Sequence, residues 1–207
     1  MKNKMRQIKP VSSNYDKQRT YAENMKKYNK AIQYGFYFEA LIIDYAMIED
    51  RLRSFIYHIG GLKTRNDYKI SKGAVRNDLK TIVQGYKNND ENDSLGITNI
   101  SGKMKIVRAT LRWASEIEQV PDNQYLKALK SQYEGQLDIG GLLDTLDEIA
   151  NWCKYRNEVI HALMNKSMVS VNEQLEENAI KGMELARYLD SQVRSLKRGG
   201  RIRKSIG

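Results

Sequence analysis

The chain has 207 residues, a formal net charge of +10 and a hydrophobic fraction of 41%. This length predicts one domain with a packed core, and the single cysteine excludes a disulfide within the chain. With only two histidines besides that cysteine, a zinc site of the Cys/His type is not expected, whereas a magnesium site of carboxylates stays open.

The spacing of hydrophobic residues predicts a single all-α domain over residues 13–197. A flexible basic arm (residues 1–12) is expected before it and a flexible basic tail (residues 198–207) after it. In chain order, helices are predicted at about residues 16–59, 71–86, 102–119, 122–133, 142–165 and 171–196. The first is either one long helix or two abutting ones, and Asp122 is the expected cap of the fourth. The short connections favour an antiparallel bundle.

No segment has an apolar run of membrane-spanning length, and the N-terminus lacks the pattern of a signal peptide. The protein is therefore expected in the cytoplasm, without a membrane partner. Its charge is concentrated at the ends: residues 1–30 contain nine Lys or Arg against two acids, and residues 194–207 contain six and no acid. Basic ends on a body of about −3 suit a polyanion held through its phosphates, with a purely solubilising charge as the alternative.

The predicted helix over residues 142–165 contains the run Arg-Asn-Glu-Val-Ile-His at residues 156–161. Arginine can bind a phosphate, histidine can transfer a proton near neutral pH, and asparagine can orient the histidine ring. Arg156, Asn157 and His161 are therefore a suitable set for cutting RNA without a metal or another cofactor.

On a helical wheel, Arg156 lies within the apolar face, and Asn157 neighbours His161 one turn later. Arg156 and His161 are about 140° apart, so one helix cannot direct both at one phosphate. Two copies related by a twofold axis could, which predicts a homodimer with a composite site. The structural alternative for Arg156 is an ion pair with Asp44 or Glu49, and for His161 a cation at a helix end.

A second run of the same spacing joins Arg53 to His58. Glu49 precedes Arg53 by four residues, which is the favourable order for an ion pair on a helix. We therefore interpret this pair as mainly structural, with a second site as the alternative.

The run over residues 156–161 resembles the signature of HEPN domains, in which an arginine is followed by a polar residue and, a few residues later, by a histidine. The layout is also similar over about residues 31–196: HEPN domains are small helical bundles with a long first helix and a late motif helix. Many HEPN proteins are ribonucleases of toxin–antitoxin, abortive-infection or CRISPR systems. The resemblance implies that Arg156 and His161 are catalytic and that Asn157 supports them.

Two further features follow from this resemblance. Some HEPN proteins use an acid of the first helix, which implies Glu49, or in second place Asp50, as an additional catalytic residue. Some are silenced by a nucleotidyltransferase that modifies a tyrosine two residues after the histidine. Leu163 occupies that position here, which argues against this form of silencing. An antitoxin or an activating partner is implied in more general terms.

The sequence thus predicts a metal-independent endoribonuclease that acts as a toxin or antiphage effector. The 2′-hydroxyl of RNA would attack the adjacent phosphate and leave 2′,3′-cyclic phosphate and 5′-hydroxyl ends. Arg198, Arg201, Arg203 and Lys204 of the basic tail are expected to bind the RNA. The alternatives are a non-catalytic RNA-binding or adaptor bundle, a structural oligomer, and a nuclease that needs a partner.

Overall fold

The structure is a computed structural model that describes residues 8–9, 15–65, 67–86, 95–162 and 174–205. Within these ranges every regular element is an α-helix, and β pairing is limited to an isolated bridge between Lys69 and Gly96. The predicted all-α fold class is confirmed. In the same ranges, no helix is long and apolar enough to cross a membrane.

The helices follow the predicted order. They are α1 (Tyr15–Tyr34), α2 (Tyr37–His58), α3 (Ala74–Tyr86), α4 (Ile100–Glu116), α5 (Gln124–Gln136), α6 (Ile139–Ala162), α7 (Leu175–Gly199) and α8 (Arg201–Ser205).

Local chain chemistry explains several of the helix ends. The predicted first helix is two abutting helices, because Gly35 has a φ of 76°, a backbone conformation that other residues rarely adopt. The side chain of Asn99 caps α4 by accepting a hydrogen bond from the Gly102 amide at 2.8 Å. Asn123, and not Asp122, caps α5, because the Asp122 carboxylate instead pairs with Lys127 at 2.6 Å.

The C-terminal residues differ from the predicted flexible tail. Residues 198 and 199 continue α7, and α8 follows after Gly200. Ile202 is completely buried, and its amide donates a hydrogen bond to Oε1 of Gln132 at 3.1 Å. The hydrophobic side chain thus anchors a segment whose other residues are mostly basic. Of the predicted basic arm only Ile8 and Lys9 are described, and Ile8 is buried.

The chain divides into two compact units. The first contains Met1–Ile48 and Ile149–Asp190, and the second contains Glu49–Glu148 and Ser191–Gly207. Helices α2, α6 and α7 contribute residues to both units.

In the first unit, α7 comes very close to α2 and α6 at Gly182. A methyl group at this position would lie 2.6 Å from Cζ2 of Trp152 on α6 and 2.8 Å from Oδ2 of Asp44 on α2. The indole Nε1 of Trp152 donates to the carbonyl of Asn178 at 2.8 Å. The hydroxyl of Tyr28 on α1 donates to the carbonyl of Ala179 at 3.1 Å. These contacts fix the first half of α7 against the other three helices.

The second unit has an aromatic and polar centre of its own. Phe55 meets Tyr133 edge to face with ring centroids 5.8 Å apart, and Tyr133 shares a 3.0 Å hydrogen bond with Thr110. The hydroxyl of Tyr125 donates to the carbonyl of Ile59 at 2.9 Å. The buried hydroxyls of Thr110, Tyr125 and Tyr133 therefore each have a partner, as is usual in a protein core.

Gly182→Ala is expected to destabilise the protein by about 1–3 kcal/mol, because the added methyl overlaps Trp152 and Asp44. Urea unfolding followed by circular dichroism measures the change. Gly135→Ala on α5 is the matched control, since a methyl group there meets no atom within 4 Å. Equal stability of the two variants would show that the close approach at Gly182 is not a constraint.

Candidate functional site

The residues of the predicted motif lie together in the C-terminal half of α6, within the first unit. Arg156 is half-buried, whereas Asn157 and His161 are exposed. The neighbouring Ile149, Trp152, Cys153 and Val159 are buried, as the helical wheel predicts. The motif therefore lies at the border between the core face of α6 and solvent.

The guanidinium of Arg156 is held by an aromatic ring rather than by an acid. Its Cζ atom lies 4.3 Å from the centroid of the Tyr45 ring on α2, a cation–π distance. Nη1 donates a 3.1 Å hydrogen bond to Oδ1 of Asn157. Nε is buried and has no hydrogen-bond partner. Tyr45 and Asn157 thus orient the guanidinium without neutralising its charge.

No carboxylate among the described residues forms an ion pair with Arg156. Of the two acids weighed as its structural partners, Asp44 has no hydrogen bond to either oxygen. Glu49 belongs to the second unit, where its carboxylate pairs with Lys103 at 2.7 Å. A half-buried cation without a counter-charge can be stabilised by an anionic ligand, and a guanidinium favours phosphate.

Asn157 does not orient the histidine in the expected way. Its side-chain oxygen accepts the hydrogen bond from Arg156, one residue before it in the chain. His161 lies in the last turn of α6, where a positive charge interacts favourably with the helix dipole. The structure therefore links Asn157 to the phosphate-binding candidate Arg156. Leu163 lies outside the described residues.

Cys153, one turn before Arg156, is not prepared for nucleophilic chemistry. Burial raises the pKa of its thiol to about 11, and the nearby charge of Arg156 opposes the shift only in part. The group is therefore a neutral thiol at physiological pH.

The second Arg/His pair, Arg53 and His58, lies in the second unit, and its contacts are those of structural residues. Arg53 lies 3.9 Å from the carboxylate of Glu49 and its Cζ atom is 4.8 Å from the ring centroid of Tyr68. His58 is buried, and its Nε2 atom has no hydrogen-bond partner. Burial, followed by the charges of Arg65, Lys197, Arg203 and Arg51, lowers the His58 pKa to about 3. His58 is thus neutral and shielded at physiological pH.

The predicted acids of the first helix are both engaged in ion pairs. Glu49 pairs with Lys103, whose side chain is completely buried, and the two bonded atoms are 2.7 Å apart. Asp50 accepts a 2.6 Å hydrogen bond from Nη2 of Arg51, which is also fully buried. These carboxylates balance buried cations of the second unit. These ion pairs give both acids a structural role that does not depend on catalysis.

The predicted RNA-binding residues of the C-terminal segment differ from one another. Arg198 is exposed and donates to the hydroxyl of Ser195 at 3.0 Å. Arg203 donates from Nη1 to the carbonyls of Tyr57 and Leu62 at 2.9 and 3.1 Å. The side chains of residues 201 and 204 lie outside the described part of the structure. Arg203 therefore has a role in holding the chain, in addition to its charge.

Asp44 has an unusual environment that was not predicted from the sequence, where it is a possible ion-pair partner of Arg156. It is completely buried, and neither oxygen has a hydrogen-bond partner. Burial raises its pKa to about 9, although the charge of Arg187 opposes the shift. Asp44 is therefore a neutral carboxylic acid near pH 7. Its position three residues after Leu41 and four before Ile48, on the apolar face of α2, is the sequence signal of its burial.

In comparisons with known proteins, the chain matches no protein-family model, no curated protein and no solved structure. Among the described residues, no three His, Cys, Asp or Glu side chains are grouped so that they could hold a metal ion.

Asp44→Asn is expected to remove a pH dependence of stability. Because the folded-state pKa of Asp44 is raised, the native protein binds more protons than the unfolded chain between about pH 4 and pH 9. The free energy of unfolding of the wild type therefore falls as the pH rises through this range, by at most about 1.4 kcal/mol per pH unit. Urea titrations of both proteins at pH 5 and pH 8 measure the difference.

The exposed Asp144 provides the matched control, as Asp144→Asn is expected to keep the pH dependence of the wild type. A parallel pH dependence in the wild type and in Asp44→Asn would contradict the neutral buried acid.

Proposed function

We propose that this chain is a metal-independent endoribonuclease of the HEPN type. The observation that carries the proposal is the environment of Arg156: a half-buried guanidinium, stacked on Tyr45 and without a carboxylate partner among the described residues, five positions before the exposed His161. A structural arginine would be expected to have a counter-charge at this depth. The arrangement instead favours an anion from outside the chain, and the His161 of a second copy would be the group that transfers protons to and from it.

The proposed reaction is an attack of the RNA 2′-hydroxyl on the adjacent phosphorus. His161 accepts the proton of the 2′-hydroxyl, or donates one to the departing 5′-oxygen, while Arg156 stabilises the negative charge on the phosphoryl oxygens. The bond between phosphorus and the 5′-oxygen breaks. The products are a 2′,3′-cyclic phosphate and a 5′-hydroxyl. DNA has no 2′-hydroxyl and is therefore not a substrate.

The position of both residues on one helix supports a homodimeric enzyme. Arg156 and His161 are separated by about 140° around α6, so the two side chains of one copy leave the helix in different directions. A twofold axis beside α6 would bring the Arg156 of one copy toward the His161 of the other. An antitoxin or an activating partner, in a toxin or antiphage system, is the biological setting that we propose.

A non-catalytic RNA-binding or adaptor protein is the second candidate. The observation that favours it is the side chain of Asn157, which bonds to Arg156 and does not fix the ring of His161. In such a protein the same guanidinium would bind a phosphate without subsequent proton transfer.

The central prediction concerns His161. Pure wild-type protein is expected to cleave single-stranded RNA in EDTA and to leave cyclic phosphate ends, detected by mass spectrometry. His161→Ala should lower the cleavage rate by at least about 100-fold, the usual contribution of general acid–base catalysis. Glu158→Ala, an exposed change on the same helix, is the control and should retain activity. Cleavage that requires magnesium and proceeds equally on DNA would refute the proposal.

A second prediction separates positioning from folding. Tyr45→Leu removes the ring beneath Arg156 and should lower the cleavage rate about 3- to 30-fold, in line with the strength of a cation–π contact. Tyr45→Phe keeps the ring and should remain within about twofold of the wild type. Thermal unfolding of both variants tests for a simple loss of stability. Equal rates in the Leu and Phe variants would show that Tyr45 does not position Arg156.

A further inference from the structure

The second unit contains a cleft that the proposed catalytic residues do not occupy. Its volume is about 1110 Å³, slightly above the usual range for small-molecule pockets, which ends at about 1,000 Å³. Its walls come from residues 60–63 and 67–72, from the first turn of α3 and from α8. Its charged lining residues are Lys63, Asp67, Lys69, Lys72, Arg76 and Arg203.

The acid in this lining does not neutralise the cations. Asp67 accepts hydrogen bonds from the amide and from the hydroxyl of Thr64, each at 2.7 Å. These bonds are the main cause of its lowered pKa, and the charge of Lys63 contributes. Asp67 thus stabilises its own loop, and five cations face the cleft against one carboxylate.

The cations have two different roles. Arg76 donates to the carbonyl of Ile70 at 3.2 Å, and Arg203 donates to the carbonyls of Tyr57 and Leu62, so both arginines hold the walls. Lys69 and Lys72 are exposed, and within the described residues neither forms an ion pair or a hydrogen bond through its side chain. The arginines shape the cleft, while the lysines keep their charge available.

Two further polar features belong to residues that line the cleft. The hydroxyl oxygen of Ser71 is buried and has no hydrogen-bond partner, although buried polar atoms are normally paired. The first residues of α3, Ala74 and Val75, also line the cleft. The amides of a helix N-terminus add a partial positive charge that favours phosphate.

We infer that this cleft binds the phosphodiester backbone of RNA. The inference rests on the proposed function for the choice of RNA, but not on cleavage. None of the described residues that line the cleft is aromatic, so bases have no ring on which to stack there. Recognition therefore takes place through phosphates, independent of sequence and strongly dependent on salt.

The test removes the charges of the three lysines that line the cleft. In a His161→Ala background, which prevents consumption of the RNA, Lys63→Gln, Lys69→Gln and Lys72→Gln are combined. Fluorescence anisotropy with a labelled single-stranded RNA is measured between 50 and 300 mM salt. The affinity at about 100 mM salt should fall at least tenfold, and the slope of log K against log salt should decrease by about 2, at about 0.7 per lost contact.

A matched variant carries Lys80→Gln, Lys127→Gln and Lys154→Gln, three exposed lysines that lie outside the cleft lining and outside the basic ends of the chain. It loses the same charge and should keep most of the affinity and the slope. Equal losses in both variants, or wild-type binding by the cleft variant, would overturn the inference. If the triple variant has no thermal unfolding transition, Lys69→Glu and Lys72→Glu are measured singly against Lys127→Glu.

Inorganic tripolyphosphate serves as a second probe and separates RNA from a small phosphate ligand. Displacement of the RNA only at high, salt-like concentrations supports the RNA backbone as the ligand. Tight tripolyphosphate binding that depends on the cleft lysines, with RNA affinity equal in both variants, would overturn it. Cleavage is not measured here, so a failure of the nuclease proposal and a failure of this inference give different results.

Discussion

The close approach of α7 to α2 and α6 at Gly182 is the constraint on which the candidate site depends. Asp44 and Trp152 are the two side chains that a larger residue would displace. Tyr45 follows Asp44 in the chain, and Arg156 follows Trp152 by one helical turn. The contact that sets the positions of α2 and α6 in the first unit therefore also sets the ring of Tyr45 beneath the guanidinium. A glycine without chemistry of its own thus determines where the reactive groups lie.

The positively charged side chains lie in three different environments. Lys103 is buried and neutralised by Glu49, which is an arrangement that contributes to the core of the second unit. Arg156 is half-buried and held by an aromatic ring, which orients a charge without cancelling it. Lys69 and Lys72 are exposed at a cleft. The charges of Arg156 and of the two cleft lysines are not neutralised by a described carboxylate, so they can attract an anion. The nuclease proposal rests on the first of these arrangements, and the RNA-binding cleft rests on the second.

Sequence patterns predicted the fold class and the helices well, because periodicity and helix-breaking residues are local properties. Glycines with positive φ, at positions 35 and 60, follow α1 and α2, and the buried face of α6 follows the helical wheel. Partners were harder to predict. Glu49 pairs with Lys103, which is 54 residues away, and Asn157 bonds to its neighbour Arg156 instead of His161. Periodicity shows which side of a helix is buried, but not which distant side chain it meets.

The C-terminal segment is a second case in which local sequence properties did not predict a distant contact. Its basic composition predicted a tail, yet the single hydrophobic residue Ile202 is enough to anchor α8 against Gln132. One buried side chain outweighs the composition of its neighbours, since burial of an isoleucine contributes about 1.5–3 kcal/mol. Arg203 is consequently held by two backbone carbonyls, and its charge lies in a defined place.

The buried thiol of Cys153 has a practical consequence for spectroscopy. The chain contains no other cysteine, and a neutral, shielded thiol reacts slowly with maleimides and iodoacetamides. A cysteine introduced at an exposed position would therefore take up a fluorophore or a spin label selectively, with the native residue left in place. Distances within and between copies of the chain can then be measured in solution without first redesigning its core.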